Sequence, residues 1–409
     1  MNCKSLSKRF LVLLLLLFVS NAILAQGLIV EGMSIERLKK YGDFVDEQIA
    51  KERIPGAAIL VYRNGKEVYR KKGGYSDAVD KTDMSMDGRF YIQSMTKPII
   101  TAAFMMLYEE GHFLLTDPVS KYIPAFKNLK VATDPSKGKA SEAVPMDREI
   151  TLAHLLTHTS GLSHGLGGTE LDKDYAKTMY YTPHKTIQDR MNAMLELPLM
   201  FQPGTSWYYS AAPDVLSVLI EQFSGIPTDQ FLQKRIFDPL EMRSTGYNIP
   251  AAEQAKMVKV HTLNDKGELI KGAYQPPMSN VTVWSGVNGL YSSPEDYVKF
   301  CHMLLNNGKA NGNQLLGKKT IELMTTNNSA SLRDKAGESF GLGFAIVENP
   351  GESHLLGSVG TFYWSGANNT HFFIDPKEKI VAVFMTQIAP YSDRFHEEMR
   401  RFVLQAVVD

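Results

Sequence analysis

Cysteine is almost absent from this chain, which has 409 residues but only Cys3 and Cys301. Cys3 lies in a basic N-terminal stretch that we expect to be removed, so no intrachain disulfide can form in the mature chain. The fold must therefore depend on its hydrophobic core. Cys301 falls in an apolar helical pattern, which indicates a buried packing residue.

Neither sign of charge predominates in the sequence. The chain has 44 basic and 44 acidic residues, a formal net charge of 0, and no long run of either sign. This balance argues against a nucleic-acid partner. No cluster of residues has the spacing of zinc ligands. We therefore expect neither a metal nor another cofactor.

Long hydrophobic runs are also scarce, and the one clear run lies near the N-terminus. A basic segment precedes ten unbroken apolar residues, Phe10 to Val19, and a small residue, Ala25, follows. This pattern predicts a cleavable signal peptide over residues 1–25, cut after Ala25, and a periplasmic or secreted protein. An uncleaved anchor or a core helix is the alternative. A membrane-spanning helix needs about 20 apolar residues, and no second run approaches that, so we expect no span in the mature chain.

The pattern of apolar residues changes along the chain in three stages. Apolar residues spaced by three and four predict a helix over 34–51, and Asn64-Gly65 then predicts a β-hairpin. The middle of the chain is mostly helical pattern, broken by polar stretches at 133–147 and 162–175 that resemble surface excursions. The end of the chain returns to strands, at 343–348, 370–374 and 379–387, before a last helix over 392–408.

This arrangement predicts an α+β fold. An antiparallel sheet built from both chain ends would be flanked by the terminal helices, and a large, mostly helical lobe would be inserted between them. We expect one domain over residues 26–409. Its sheet lobe would cover about 34–93 and 309–409, and its helical lobe about 94–308.

The clearest chemical motif is Ser94-Met-Thr-Lys97, which opens a helical pattern. Positions i and i+3 share one face of a helix, so the Ser94 hydroxyl and the Lys97 amine can meet. A serine hydroxyl is a weak nucleophile until a neighbouring base takes its proton. Lysine is such a base when burial lowers its pKa. A single S-x-x-K match is common, however, so its sequence context has to decide.

Further motifs that follow one another along the chain supply that context. Gln93-Ser-Met-Thr-Lys-Pro98 is followed by conspicuous blocks at 150–162, 201–210, 289–296 and 340–344. Together they resemble the serine β-lactamase-related superfamily from about Ile35 to the C-terminus. This group includes class C β-lactamases, D-alanyl-D-alanine peptidases, family VIII carboxylesterases and related acyltransferases. The resemblance implies a β-lactamase/transpeptidase-like fold.

The resemblance also implies roles for particular residues. Aligning the block Pro-Gly-x-x-Trp-x-Tyr-Ser selects Tyr209, and not Tyr208, as the tyrosine that exchanges protons with Ser94 and Lys97. The backbone N–H groups of Ser94 and Ala367 would form the oxyanion hole.

The sequence departs from the class C pattern in two places. Ala211 stands where those enzymes keep an asparagine, and Trp364-Ser365-Gly366 replaces the usual Lys-Thr-Gly. That lysine supplies positive charge for a substrate carboxylate, whereas tryptophan offers an apolar surface. Trp364, Ser365 and Gly366 are therefore expected to bind substrate, and the change favours neutral esters over β-lactams.

Two histidines have a spacing that resembles a metal motif. His154 and His158 are four residues apart on a helical pattern, but no glutamate lies between them as in H-E-x-x-H. We interpret them as structural histidines that bond the backbone beneath the site.

The sequence thus predicts a secreted serine hydrolase that forms an acyl-enzyme on Ser94. A carboxylesterase acting on small esters is the leading interpretation, with a small-molecule ester or acyl compound as its substrate. The alternatives are a β-lactamase, a D-amino peptidase or an acyltransferase of the same fold. A non-catalytic scaffold or receptor is the alternative from a different class. Oligomeric state stays open.

Overall fold

An eight-stranded antiparallel sheet forms the middle layer of the computed structural model, which describes residues 28–409. The strands are β1 Gly56–Arg63, β2 Lys66–Asp77, β3 Thr82–Asp83, β4 Glu338–Phe340, β5 Ala345–Val347, β6 Phe362–Gly366, β7 Thr370–Asp375 and β8 Ile380–Met385. Their spatial order is β4-β5-β6-β7-β8-β1-β2-β3. Because β8 pairs with β1, the sheet joins the two ends of the chain, as the sequence predicted.

The central strand β8 shows why this part of the sequence is continuously apolar. Ile380, Ala382 and Phe384 belong to the core on one face of the sheet. Val381, Val383 and Met385, which alternate with them, belong to the core on the other face. Side chains alternate across a strand, so a strand that is buried on both faces has no polar positions.

The turn of the hairpin between β1 and β2 lies at Asn64 and Gly65, as the sequence predicted. Asn64 and Gly65 have φ values of 51° and 77°. Both residue types tolerate this left-handed region, which the tight turn requires. The hairpin prediction is confirmed.

Helices cover both faces of the sheet. The helices are α1 Ile35–Ala50, α2 Thr96–Glu109, α3 Leu152–Leu156, α4 Glu170–Ala176, α5 Ile187–Met194, α6 Ala212–Ser224, α7 Thr228–Leu232, α8 Pro294–Leu305, α9 Lys318–Met324, α10 Pro350–Ser353 and α11 Asp393–Leu404. Helix α1 packs against β2 and against the last helix, α11, which also contacts β7 and β8. Helix α8 covers the opposite face of the sheet. The predicted α+β fold with flanking terminal helices is thereby confirmed.

Short elements connect the larger ones. Short stretches of 3-10 or π helix lie at Gln93–Met95, Val119–Lys121, Pro124–Asn128, Pro135–Ala140, Lys177–Tyr181, Gln233–Phe237 and Ala251–Lys256. Short strands outside the sheet lie at Ile29–Val30, Met33–Ser34, Phe90–Tyr91, Lys130–Ala132, Ala143–Pro145, His261–Leu263, Leu269–Lys271, Tyr291–Ser292, Lys309–Ala310, Asn313–Gln314 and Ile388–Ala389.

The inserted part of the chain is organised around α2. Nearly every residue of this helix is buried, and α6 packs along it. The signal-peptide prediction concerns residues outside the described range. Within residues 28–409, no helix has the length and apolar character needed to cross a membrane.

The expectation that 162–175 is a surface excursion is wrong. Much of this stretch is buried, including Leu162, Ser163, His164, Leu171, Asp172 and Tyr175. The polar groups satisfy one another, since the Asp172 carboxylate accepts from the Ser163 hydroxyl at 2.6 Å and from the Tyr208 hydroxyl at 3.0 Å. A polar sequence can therefore be buried when its hydrogen bonds are internal. The stretch 133–147, by contrast, is mostly exposed.

A pair of leucine substitutions tests the position of the core. Leu60 on β1 is fully buried, whereas Leu114 is 62% exposed. Leu60→Ala should lower the free energy of unfolding by about 2–5 kcal/mol through lost burial and the cavity left behind. The matched control Leu114→Ala should change it by less than about 0.5 kcal/mol. Urea unfolding of the two variants measures both values, and equal effects would contradict this placement of β1.

Candidate active site

Ser94 lies in the 3-10 turn Gln93–Met95, immediately before α2. The preceding residue, Gln93, has a φ of 48°, a region that costs energy for residues other than glycine. This strained turn leaves Ser94 half-buried, at the wall of two cavities. The hydroxyl therefore combines a rigid position with access from solvent.

Lys97 is buried in the first turn of α2, and its amine has three polar neighbours. The Lys97 Nζ lies 3.2 Å from the Ser94 Oγ. It also donates to the Val287 carbonyl oxygen at 2.9 Å and lies 3.5 Å from the His164 Nε2. The structure thus brings the predicted serine and lysine within hydrogen-bond distance.

The electrostatic surroundings favour a neutral Lys97. Burial lowers the pKa of the Lys97 amine well below its usual value, the Asp214 carboxylate raises it, and the Arg190 guanidinium lowers it further. Burial is the largest of these effects, because a charged amine loses its hydration there. A neutral amine has a free lone pair that can accept a proton.

Tyr209 contacts both Trp364 and Lys97. Its phenol oxygen accepts from the Trp364 Nε1 at 3.2 Å, and the Lys97 Nζ lies 4.6 Å from its ring centroid. Burial raises the pKa of the Tyr209 phenol, and hydrogen bonds with Ser94 and Trp364 oppose that rise. The neighbouring Tyr208 points elsewhere and donates to the Asp172 carboxylate.

The residues Trp364, Ser365 and Gly366 end strand β6 beside the Ser94 turn. A Cβ atom on Gly366 would lie 2.4 Å from the carbonyl oxygen of Ile92, so only glycine permits this close approach. The Ser365 hydroxyl is 2.8 Å from the His371 Nδ1. Ala367 follows at the exposed end of the strand.

Two cavities meet at Ser94, Leu166 and Ala367. The tryptophan-side cavity, about 370 Å³, is lined by Trp207, Tyr209, Tyr363, Trp364, Arg333 and Lys335, among others. The tyrosine-side cavity, about 500 Å³, is lined by Tyr91, Met179, Tyr180, Tyr181, Tyr274 and Val281, among others. The stretch 162–185 contributes to both cavities, whereas 133–147 contributes to neither.

Sequence reasoning missed a buried ion pair behind the site. The Arg190 Nε lies 3.1 Å from an Asp214 carboxylate oxygen. The other Asp214 oxygen accepts from the Ser285 hydroxyl at 2.7 Å and from the Val287 N–H at 3.1 Å. Asp214 thereby fixes the segment whose carbonyl contacts Lys97. A carboxylate within the apolar run of α6 was the available signal, because a buried charge needs a partner.

Two cations near Trp364 were also missed. Arg333 and Lys335 lie 3.2 Å and 3.1 Å from the same oxygen of Glu338, whose side chain is fully buried. The Arg333 guanidinium also stacks 5.4 Å from the Trp207 ring. The absence of lysine at position 364 therefore does not leave the cavity without positive charge. Nothing in the polar stretch around Arg333 marked it as part of the site.

The two spaced histidines bond the backbone, as interpreted from the sequence. The His154 Nδ1 accepts from the Thr151 N–H at 3.2 Å, and the His158 Nδ1 accepts from the Ser210 N–H at 3.2 Å. The His158 ring also packs edge-on against Tyr209, with centroids 4.9 Å apart. His164, which sequence reasoning did not consider, has its Nε2 3.5 Å from the Lys97 Nζ.

Known proteins share this sequence pattern and architecture. A family model described as Beta-lactamase matches residues 42–407. The chain belongs to the Beta-lactamase family. Protein Rv1367c of Mycobacterium tuberculosis is 31% identical to it over 353 residues, which are 82% of this chain and 86% of that protein. Esterase EstB of Burkholderia gladioli is 26% identical over 365 residues, which are 84% and 88% of the two chains.

A solved structure shows the same fold. It is that of EstCE1, described as a hydrolase with promiscuous acyltransferase activity, and it superposes with a TM-score of 0.79. The match covers 90% of this chain and 99% of EstCE1 at 24% sequence identity. The Beta-lactamase family fold is therefore retained, and the predicted family resemblance is confirmed.

The pH dependence of stability tests the charge state of Lys97 in this Beta-lactamase family member. The folded-state pKa of Lys97 lies below the value of 10.5 expected when it is unfolded. Between these two pKa values the unfolded state binds more protons, so wild-type stability should rise with pH relative to Lys97→Met. Any stability advantage of the variant should therefore shrink as the pH increases from about 7 to about 9.

Denaturant unfolding at each pH measures this difference. The exposed Lys39→Met is the matched control, since its amine is in water in both states and should give little trend. A difference between Lys97→Met and wild type that is constant across this pH range would mean that the buried amine is charged.

Proposed function

We propose that this protein is a serine hydrolase that forms an acyl-enzyme on Ser94, with Lys97 and Tyr209 transferring protons. The observation that carries the proposal is the buried Lys97 amine, 3.2 Å from the Ser94 hydroxyl. A scaffold or receptor has no need of a desolvated lysine beside a serine, because burying an amine is costly. The arrangement is therefore more consistent with catalysis than with simple binding.

The first chemical step uses the neutral Lys97. Its lone pair takes the Ser94 proton as the Ser94 oxygen attacks the substrate carbonyl carbon, and the carbonyl oxygen becomes an oxyanion. Ser94 and Ala367 line the same cavity, and their backbone N–H groups would donate to that oxyanion. The charge formed on Lys97 is balanced by the oxyanion nearby.

Collapse of the tetrahedral intermediate requires a proton for the leaving alcohol. The raised pKa of the Tyr209 phenol keeps it protonated, which suits a proton donor that Lys97 then recharges. Water next attacks the acyl-enzyme, gives its proton to the same pair of residues, and releases the acid with Ser94 restored. An alcohol in place of water would give acyl transfer.

Small carboxylic esters are the substrates that we propose. In the class C pattern, a lysine at the position of Trp364 would attract the carboxylate of a β-lactam. Here Trp364 instead lines an aromatic cavity. The 26% identity to an esterase of Burkholderia gladioli supports the same substrate class. We further propose that the enzyme acts outside the cytoplasm, on the basis of the signal-peptide pattern in residues 1–25.

A second candidate, acting on carboxylate-bearing substrates such as β-lactams, has one observation in its favour. Lys335 and Arg333 line the tryptophan-side cavity and bring two positive charges to it. Both already contact Glu338, so much of their charge is balanced within the protein. Neutral esters therefore remain the first proposal.

Intact-mass measurement across a small substrate panel tests the proposed function. Short p-nitrophenyl esters should be hydrolysed and should leave a transient acyl adduct, both of which Ser94→Ala should abolish. A p-nitrophenyl amide and a chromogenic cephalosporin should react more slowly than the esters. Absence of turnover and of labelling by a reactive phosphonate would favour a scaffold.

The cephalosporin result also separates the two substrate classes. Hydrolysis at an efficiency comparable to that of the esters, lost selectively in Lys335→Met, would support carboxylate recognition by Lys335. It would contradict our interpretation of Trp364.

A pair of adjacent tyrosines provides a matched test of proton transfer. Tyr209→Phe should keep the fold and lower the acylation rate by about 10²–10⁴-fold, because the proton donor is lost. Tyr208→Phe is the control, since its hydroxyl bonds Asp172 instead, and it should change the rate only a few-fold. Rapid-mixing measurement of ethanol release from a simple ethyl ester, whose leaving group departs only with a proton, gives both rates, and a Tyr209→Phe rate near that of wild type would mean that another group supplies the proton.

A further inference from the structure

His164 is a buried polar residue beside the reactive groups, and the mechanism above does not use it. Its ring is buried and lies parallel to the Tyr209 ring, with centroids 4.9 Å apart and an interplanar angle of 9°. Its Nε2 lies 3.5 Å from the Lys97 Nζ. It therefore contacts both of the groups that are proposed to move protons.

The hydrogen-bond capacity of Lys97 indicates what the contact with His164 does. A neutral amine has two N–H groups and one lone pair. Its neighbours are the Val287 carbonyl oxygen, the Ser94 hydroxyl and the His164 Nε2. The carbonyl can only accept. For the lone pair to face Ser94, the second N–H must be accepted by His164.

His164 can accept this N–H only in one tautomer. A neutral histidine has one protonated and one unprotonated nitrogen, and the partner of one nitrogen determines the state of the other. The Tyr180 hydroxyl lies 2.8 Å from the His164 Nδ1 and 3.3 Å from the Nε2, so Nδ1 is its nearer partner. When Nδ1–H donates to the Tyr180 oxygen, Nε2 is left as an acceptor facing Lys97.

The surroundings keep the imidazole neutral. Burial lowers the pKa of His164 well below its usual value, and the Arg190 guanidinium lowers it further. The Arg190 guanidinium also lies 5.4 Å from the Tyr180 ring centroid. This cation disfavours a second positive charge on the adjacent histidine.

We propose that His164 is a positioning residue that accepts one N–H of Lys97, so that the lone pair of the amine points at the Ser94 hydroxyl. Tyr180 holds the required tautomer through Nδ1. This inference rests on the proposed function, because it concerns the same proton transfer. His164 touches neither the Ser94 oxygen nor the substrate carbonyl in this role, and it acts only through Lys97.

A purely packing role for the ring leads to a different expectation. Phenylalanine keeps an aromatic ring against Tyr209 but has no acceptor for Lys97. Glutamine keeps an amide oxygen that can accept and an amide N–H₂ that can donate to Tyr180, but it has no ring. The ranking of His164→Phe and His164→Gln therefore distinguishes hydrogen bonding from stacking.

The experiment measures kcat/KM and the acylation rate of both variants with the p-nitrophenyl ester that wild type hydrolyses best. His164→Phe should lower the acylation rate by about 10–100-fold, the effect of one lost positioning hydrogen bond. His164→Gln should stay within about 10-fold of wild type and above His164→Phe. KM should change little in either, because substrate is not contacted through this bond. A His164→Phe rate equal to or above that of His164→Gln would overturn the proposal.

Tyr180→Phe provides a second test that leaves His164 and Lys97 unchanged. Loss of the Nδ1 partner should lower the acylation rate by about 3–10-fold, because both tautomers become available. In the double variant with His164→Phe, Tyr180→Phe should add no further loss, since Tyr180 acts through His164. Additive losses, or an unchanged rate in Tyr180→Phe, would contradict the tautomer argument. The single Tyr180→Phe variant remains a test even if His164→Phe does not fold.

The outcome is separable from that of the proposed function. Inactivity of wild type toward the whole ester panel would overturn the hydrolase itself. Full wild-type activity that is retained in His164→Phe would overturn only the role of His164.

Discussion

The burial of the Lys97 amine is the interaction on which the rest of the site depends. Taking an ammonium group out of water is costly, and a lysine in such a place becomes neutral. The surrounding structure offsets the loss with the Val287 carbonyl and the His164 ring. The buried pair of Arg190 and Asp214 holds that carbonyl in place. Stability is thus given up locally, and in the proposed mechanism this creates a base beside Ser94.

The sheet completes this arrangement from a distant part of the chain. Strand β6 ends against the Ser94 turn because Gly366 lacks a side chain that would meet the Ile92 carbonyl. Its Trp364 then donates to the Tyr209 hydroxyl, which comes from the helical part of the chain. Packing of α1 and α11 on one face and α8 on the other fixes the position of the sheet. The site is therefore a meeting point of three chain segments.

Local patterns predicted much of the fold. The helix over 34–51, the Asn64-Gly65 hairpin and the apolar strand before Gln387 all agree with the structure, because each depends on spacing or turn chemistry within a few residues. The polar sequence of 162–175 predicted an exposed stretch, but much of it is buried. Its Asp172 is buried because Ser163 and Tyr208 satisfy it, and one of those partners lies far away in the sequence.

The sequence by itself determined which residues have the required chemistry. Ser94 and Lys97 are three apart at a helix start, so their meeting follows from helical geometry alone. Only the tertiary structure decided the environment of these residues. It buries Lys97 and stacks His164 on Tyr209. It also places Arg333 and Lys335 in the cavity that Trp364 lines. Burial, pKa and the orientation of a lone pair are properties of all neighbouring atoms together, and those neighbours are supplied by segments far apart in the chain.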